Sequence, residues 1–269
     1  MAVEFVHHET EQRAADALFN ELRHYLGHGP GYHAGSEDDP NGHSAADKTA
    51  TAPYVIMLAG GSTPIEVYRR VSEHPPRHVH PAVYLMLSDD RYVSRDDERS
   101  NFGNIAPLLD DLGLPEERFV HVDTSLPVDE GVARFSGDIH ALGRRSAIFA
   151  LGVLGIGADG HTASLFSADA VPAPVRPGAS ETFAGGGMLL TIPGEAAAVT
   201  TGVHGGVPRV SVTPEVLLSF RKLIFFAPGA AKRDILYELS RRPEDYPAGR
   251  IMLHHPNASI WTDEAPRVR

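Results

Sequence analysis

Short, almost wholly apolar runs recur along the chain with amphipathic stretches between them, and this alternation limits the fold more than any other feature. The runs are YVIMLA (54–59), VYLMLS (83–88), IFALGVLGI (148–156), LLTI (189–192) and KLIFFA (222–227). A strand wetted on one side alternates polar with apolar residues, whereas an unbroken apolar run needs cover on both sides. Helical spacing fills the gaps, around 65–73, 101–110, 129–142 and 230–241. It also marks EQRAADALFNELRHYL, where Ala15, Leu18, Leu22 and Tyr25/Leu26 share a face, and VEFVH at 3–7 precedes it as a short strand. Buried strands separated by amphipathic helices predict an α/β fold: a three-layer, mostly parallel Rossmann-like sheet with helices on both faces.

No internal repeat or linker divides the sequence, so residues 1–269 are expected to form one domain, and 42% hydrophobic residues can build a sizeable core. Residues 27–52 (GHGPGYHAGSEDDPNGHSAADKTATA) are nearly free of aliphatics and predict an exposed loop insertion. His28, His33 and His43 are irregularly spaced, which favours a solvated loop over a metal tail. Residues 167–188 and 202–208, rich in Pro and Gly, are expected to be long loops.

Composition narrows the function. The net charge of −11, without any basic run, argues against nucleic acid and anionic membranes as partners. No apolar stretch reaches membrane-spanning length and no secretory signal pattern opens the chain, so a soluble, cytoplasmic protein is expected, with a monomer as its state. The absence of cysteine excludes disulfides, thiol catalysis and thiolate metal sites. An anionic metabolite would need a few placed cations and helix N-termini, acting against the mean field of the protein.

Ligands of parallel sheets bind at the carboxyl ends of strands, and three such ends are unusual here. After YVIMLA comes AGGSTPIEVYRRV: Gly60 and Gly61 permit close backbone approach, Ser62 or Thr63 can cap a helix, and Pro64 suits its first position. A phosphate seat and a plain capped turn both fit this pattern. After VYLMLS come Asp89, Asp90 and Arg91, oriented by the buried strand behind them, with Ser100 and Asn101 as the next helix entry. After IFALGVL comes GIGADGHTASLF, whose G-x-G-x-x-G is a weak dinucleotide signal. The turn falls too late in the chain for that role, and Glu181 ends no recognisable strand. Asp159, two residues from His161, can orient or tune its imidazole as a general base, though a packing or capping histidine is the plain alternative. Arg209 opens RVSVTPEVL, and Lys232 stands in a first helical turn after a strand, where the helix dipole disfavours a cation unless it meets an anion.

These segments, in this order, resemble the 6-phosphogluconolactonases of the wider glucosamine-6-phosphate isomerase/deaminase superfamily. GGSTP matches 60–64, D-E-R matches Asp89, Asp90 and Arg91, S-N matches Ser100 and Asn101, and LGxGxDGHTASLFP matches 154–166. R-[IV]-[ST]-x-T matches 209–213, G-x-x-K matches 229–232, and the closing strand matches SIWTDEA near Trp261. Asp90 replaces the usual glutamate, Ser167 the proline, and Ala150 a frequent aspartate. The resemblance implies hydrolysis of 6-phospho-D-glucono-1,5-lactone with neither metal nor organic cofactor. It assigns catalysis to His161 as general base, Asp159 as its orienting partner and Arg91 at the oxyanion or sugar hydroxyls. Gly60, Gly61, Ser62, Thr63, Asp89, Arg209 and Lys232 would hold the phosphorylated sugar.

Three rivals remain. The deaminase branch continues its histidine motif as DGHIAFNEP, with a glutamate where this chain has Phe166. A sugar-phosphate sensor would keep the phosphate loop without the histidine. A nicotinamide-dependent oxidoreductase would use the GIGADG turn.

Overall fold

The computed structural model describes residues 3–30, 52–171 and 197–264. In chain order these form β1 (Glu4–His7), α1 (Glu11–His28), β2 (Tyr54–Leu58), α2 (Ser62–Glu73), β3 (Val83–Leu87) and β4 (Asp89–Arg91). There follow α3 (Asn101–Ile105), α4 (Pro107–Leu112), β5 (Phe119–Val120), α5 (Val128–Arg144), β6 (Ile148–Leu154) and β7 (Ala198–His204). The chain then forms β8 (Val207–Val212), α6 (Pro214–Leu218), β9 (Lys222–Phe226), α7 (Arg233–Arg241), α8 (Pro247–His254) and β10 (Ala258–Thr262).

Seven strands make one parallel sheet in the order β1-β10-β9-β6-β2-β3-β5. The apolar runs are buried on both faces: Val55 and Met57 of β2 point to one core, Tyr54, Ile56 and Leu58 to another. The second core is closed by α1, through Ala14, Leu18, Leu22 and Leu26, and by α2 to α4. The first is closed by α5, through Phe135, Ile139 and Leu142, and by residues of α6 to α8. Each fully buried Leu or Phe contributes about 1.5–3 kcal/mol, so the unalternating runs stabilise three layers and would be wasted in two. The expected α/β class is the observed one.

Three features differ from expectation. Helix α1 starts at the Thr10 cap and continues through Gly27 and His28 before Gly29, at φ 76°, ends it; of the stretch 27–52, residues 31–51, with His33 and His43, lie outside the described residues. The helix expected over 101–110 is two, because Pro107 has no N–H to continue α3 and instead opens α4. Residues 202–208, expected as a loop, belong mostly to a hairpin. There β8 pairs antiparallel with β7 on one side and β4 on the other, giving a second, three-stranded sheet. Gly205 and Gly206, at φ 62° and 76°, are its two turn residues, and both signs suit the right-handed twist of a tight hairpin. The run 189–192, Glu181 and most of 167–188 lie outside the described residues.

Candidate active site

The order in which successive strands are added to the large sheet reverses between β2 and β6, although all run parallel. From β2 the path steps outward to β3 and β5; from β6 it steps the other way to β9 and β10. A crevice opens beyond the strand ends at such a reversal. Three adjacent strands, β9, β6 and β2, therefore deliver the Lys232, His161 and Gly60 segments to one end of the sheet.

The β2 segment enters α2 through Gly61, whose φ of 103° and ψ of 151° suit glycine alone. Gly61 is the cap, in place of the expected Ser62 or Thr63, and Pro64 is the third helical residue. No side chain caps this helix and its first turn holds no acid, so its N–H groups remain available to an anion. A Cβ on Gly60 would lie 1.8 Å from Asn101 Oδ1. That oxygen accepts from Arg91 Nη1 at 2.5 Å, and Asn101 Nδ2 donates to the Asp89 carbonyl at 2.9 Å. Asn101 thus ties the glycine loop to Arg91. The sequence pattern placed it at a helix entry and left this second task unseen; a glycine facing an Asn was the missing signal.

Arg91 and Arg209 are directly opposed across β4 and β8. Like charges so placed repel, and among the described residues neither forms an ion pair. Arg209 Nε is buried without a hydrogen-bond partner. Burial, with the neighbouring Arg91 charge, lowers the Arg209 pKa below the ordinary guanidinium value. Two cations held together against their own repulsion make a site poised for an anion.

The β6 segment folds into a tight turn: Gly160 N donates to Gly157 O at 3.0 Å and Gly157 N to His161 O at 2.9 Å. A Cβ on Gly157 would come within 2.1 Å of His161 Nδ1, and one on Gly160, at φ 80°, within 2.3 Å of the Tyr246 ring. His161 Nδ1 and Asp159 Oδ1 are 2.5 Å apart, with the imidazole about one-third exposed. Burial pushes the Asp159 carboxyl up, but the hydrogen bond and charge of His161 outweigh it, and the net shift is downward. Thr162 Oγ1 donates to Gly155 O at 2.9 Å, fixing the base of the turn. Lys232 ends the turn Ala230–Lys232 beyond β9, and its Nζ donates to Ile156 O at 2.6 Å. The lysine is therefore held beside the histidine turn with two further N–H groups to offer. Gly229 opens its loop at φ 91° and ψ 151°, nearly the Gly61 conformation, so two loops of like shape flank β6.

The two acids of the second strand end point elsewhere. Asp89 is buried and accepts from Ser88 Oγ at 2.7 Å and Ser164 Oγ at 2.6 Å, which ties β4 to the histidine segment. Each of its two oxygens thus accepts one hydrogen bond inside the protein, and the residue acts as a strut between the two segments. Asp90, fully buried, accepts from the backbone N–H of Arg91, Asn101 and Phe102 at 2.7, 2.6 and 3.0 Å. Burial pushes its carboxyl up to about 6 despite these donors. No cluster of three or more His, Asp or Glu side chains that could hold a metal occurs among the described residues, and none of their helices is long and apolar enough to cross a membrane.

Known proteins match this sequence and fold. Residues 43–261 match the family described as glucosamine-6-phosphate isomerases/6-phosphogluconolactonase. The sequence is 37% identical over 211 residues to a 6-phosphogluconolactonase of Thermotoga maritima, covering 77% of this chain and 82% of that protein. In fold it is similar to a 6-phosphogluconolactonase from Plasmodium vivax, with a TM-score of 0.69 at 20% identity over 97% of this chain and 90% of the other. It is also similar to a monomeric glucosamine-6-phosphate deaminase, with a TM-score of 0.65 at 14% identity over 97% of each chain. One fold hosts both activities, so the site must choose between them.

Proposed function

The chain belongs to the glucosamine-6-phosphate isomerase/6-phosphogluconolactonase family, and we propose from its site that it hydrolyses 6-phospho-D-glucono-1,5-lactone to 6-phosphogluconate, the second step of the oxidative pentose phosphate pathway. The carrying observation is the Asp159–His161 pair on the segment after β6, with Phe166 where a deaminase has its glutamate. With Nδ1–H donated to Asp159, Nε2 presents its lone pair to a water. That water attacks C1, the ring C1–O bond breaks, and the proton taken by His161 passes to the departing ring oxygen. The α2 N-terminus at Gly60, Gly61, Ser62 and Thr63, together with Arg209 and Lys232, holds the phosphate. Arg91 adds positive charge beside the sugar. Every group comes from one chain, so a monomer suffices.

The test is a coupled assay at mildly acidic pH, where spontaneous lactone opening is slow. Turnover of the phosphorylated lactone, with no ammonia release from glucosamine 6-phosphate, is expected; the reverse pattern would transfer the chain to the deaminase branch. His161→Ala should lower kcat by at least ~10² while 6-phosphogluconate still binds nearly as well. Equal loss of both would make the residue structural.

A further inference from the structure

The β7–β8 hairpin ends beside the proposed base. His204, the last residue of β7, stacks on Phe166 with ring centroids 3.5 Å apart and planes 19° apart, and Phe166 lies 4.7 Å from the His161 ring. Phe166 therefore lies between the two histidines, stacked on His204 and tilted by 40° against His161. Two glycine devices put His204 there. The pairing register shifts between Thr200 and Val203 around Gly202, at φ 88°, and the Gly205-Gly206 turn reverses the chain immediately after the histidine. The same turn lies over the cations: a Cβ on Gly205 would be 3.9 Å from an Arg209 guanidinium nitrogen. Asp159 fixes one ring nitrogen of His161 but leaves the imidazole free to tilt about that bond. The Phe166 ring packed against it at a tilt restricts that freedom.

We propose that the hairpin tip belongs to the active site and that His204 is a positioning residue, which clamps Phe166 against His161 and so sets the plane of the catalytic imidazole. The inference rests on the lactonase reading above. It explains why a segment of high glycine content forms an ordered hairpin at this place, and why an aromatic residue follows the histidine motif. His204 itself touches neither the base nor the reacting atoms.

The test uses purified full-length protein and the phosphorylated lactone, with thermal melting of every variant. His204→Ala should lower kcat about three- to tenfold with KM within about twofold, the size expected for losing one ring contact. His204→Phe, which restores a flat ring without a titrating group, should return kcat to within about twofold of wild type. In a Phe166→Ala background, removing His204 should have no further effect, because the clamp acts only through that ring. An unchanged kcat in His204→Ala, a rise confined to KM, failure of His204→Phe to rescue, or additive losses in the double variant would each overturn the proposal. A wild-type protein with no lactonase activity would instead sink the functional reading, and this inference with it.

Discussion

Single residues here are arranged against their own stability. Arg209 opposes Arg91 across two strands and leaves Nε buried and unbonded, and burial and that like charge outweigh the attraction of Asp89 and Asp90. Arg209→Gln should therefore leave the melting temperature unchanged or higher, while raising KM for the phosphorylated lactone at least ~10-fold through loss of a charge-assisted contact. Steady-state kinetics beside calorimetry would check both halves. Asp90 offers a second case. Its carboxyl is pushed up to about 6 in the folded protein against about 3.9 in an unfolded chain. The folded state therefore binds the extra proton between those values, and the group's contribution becomes more favourable as pH falls from about 7 to about 4. Relative to Asp90→Asn, wild type should gain up to about 3 kcal/mol over that range, read from urea melts of both proteins at each pH.

At the scale of elements, loops matter more than strands. A Cβ on Gly157 would collide with both His161 Nδ1 and Asp159 Oδ1, so Gly157→Ala should lower kcat about 10²-fold with little change in KM or melting temperature. The same scale decides what the sequence could disclose. Strands buried on both faces, such as β2 and β3, announce themselves as apolar runs, and the strand ends beyond them located the Gly60, His161 and Lys232 segments. The three-stranded sheet stayed hidden. Its β4 is Asp-Asp-Arg, whose acids are held inward by backbone donors on α3 and by Ser164 from another segment, none of which is a local property. Its β7 carries glycine at a bulge, so composition suggested loop where pairing with β8 made strand. The bracing of Asp89 stayed hidden for the same reason: the serine that donates to it comes from 75 residues away.

The whole molecule is acidic, and the proposed phosphate site sets cations against that charge. Its net charge of −11 repels a sugar phosphate at long range, and in the proposed site the loops of β2 and β9, the β8 arginine and the α2 N-terminus act together to overcome it. These groups belong to both sheets, and a ligand joining them should brace the whole fold. At about 100 times its dissociation constant, 6-phosphogluconate should stabilise the protein by about 2.7 kcal/mol and raise the melting temperature about 5–10 °C. Lys232→Ala should shrink that shift in differential scanning fluorimetry, whereas unphosphorylated gluconate should produce little of it even with wild type. The parallel pairing of β1 with β10 has a separate consequence, for biogenesis. Among the described residues β1 pairs only with β10, so α1 must wait, half docked, while more than 200 further residues are translated. A chaperone that shields apolar helices has its longest opportunity on this segment, and a premature stop before Ala258 would strand it there.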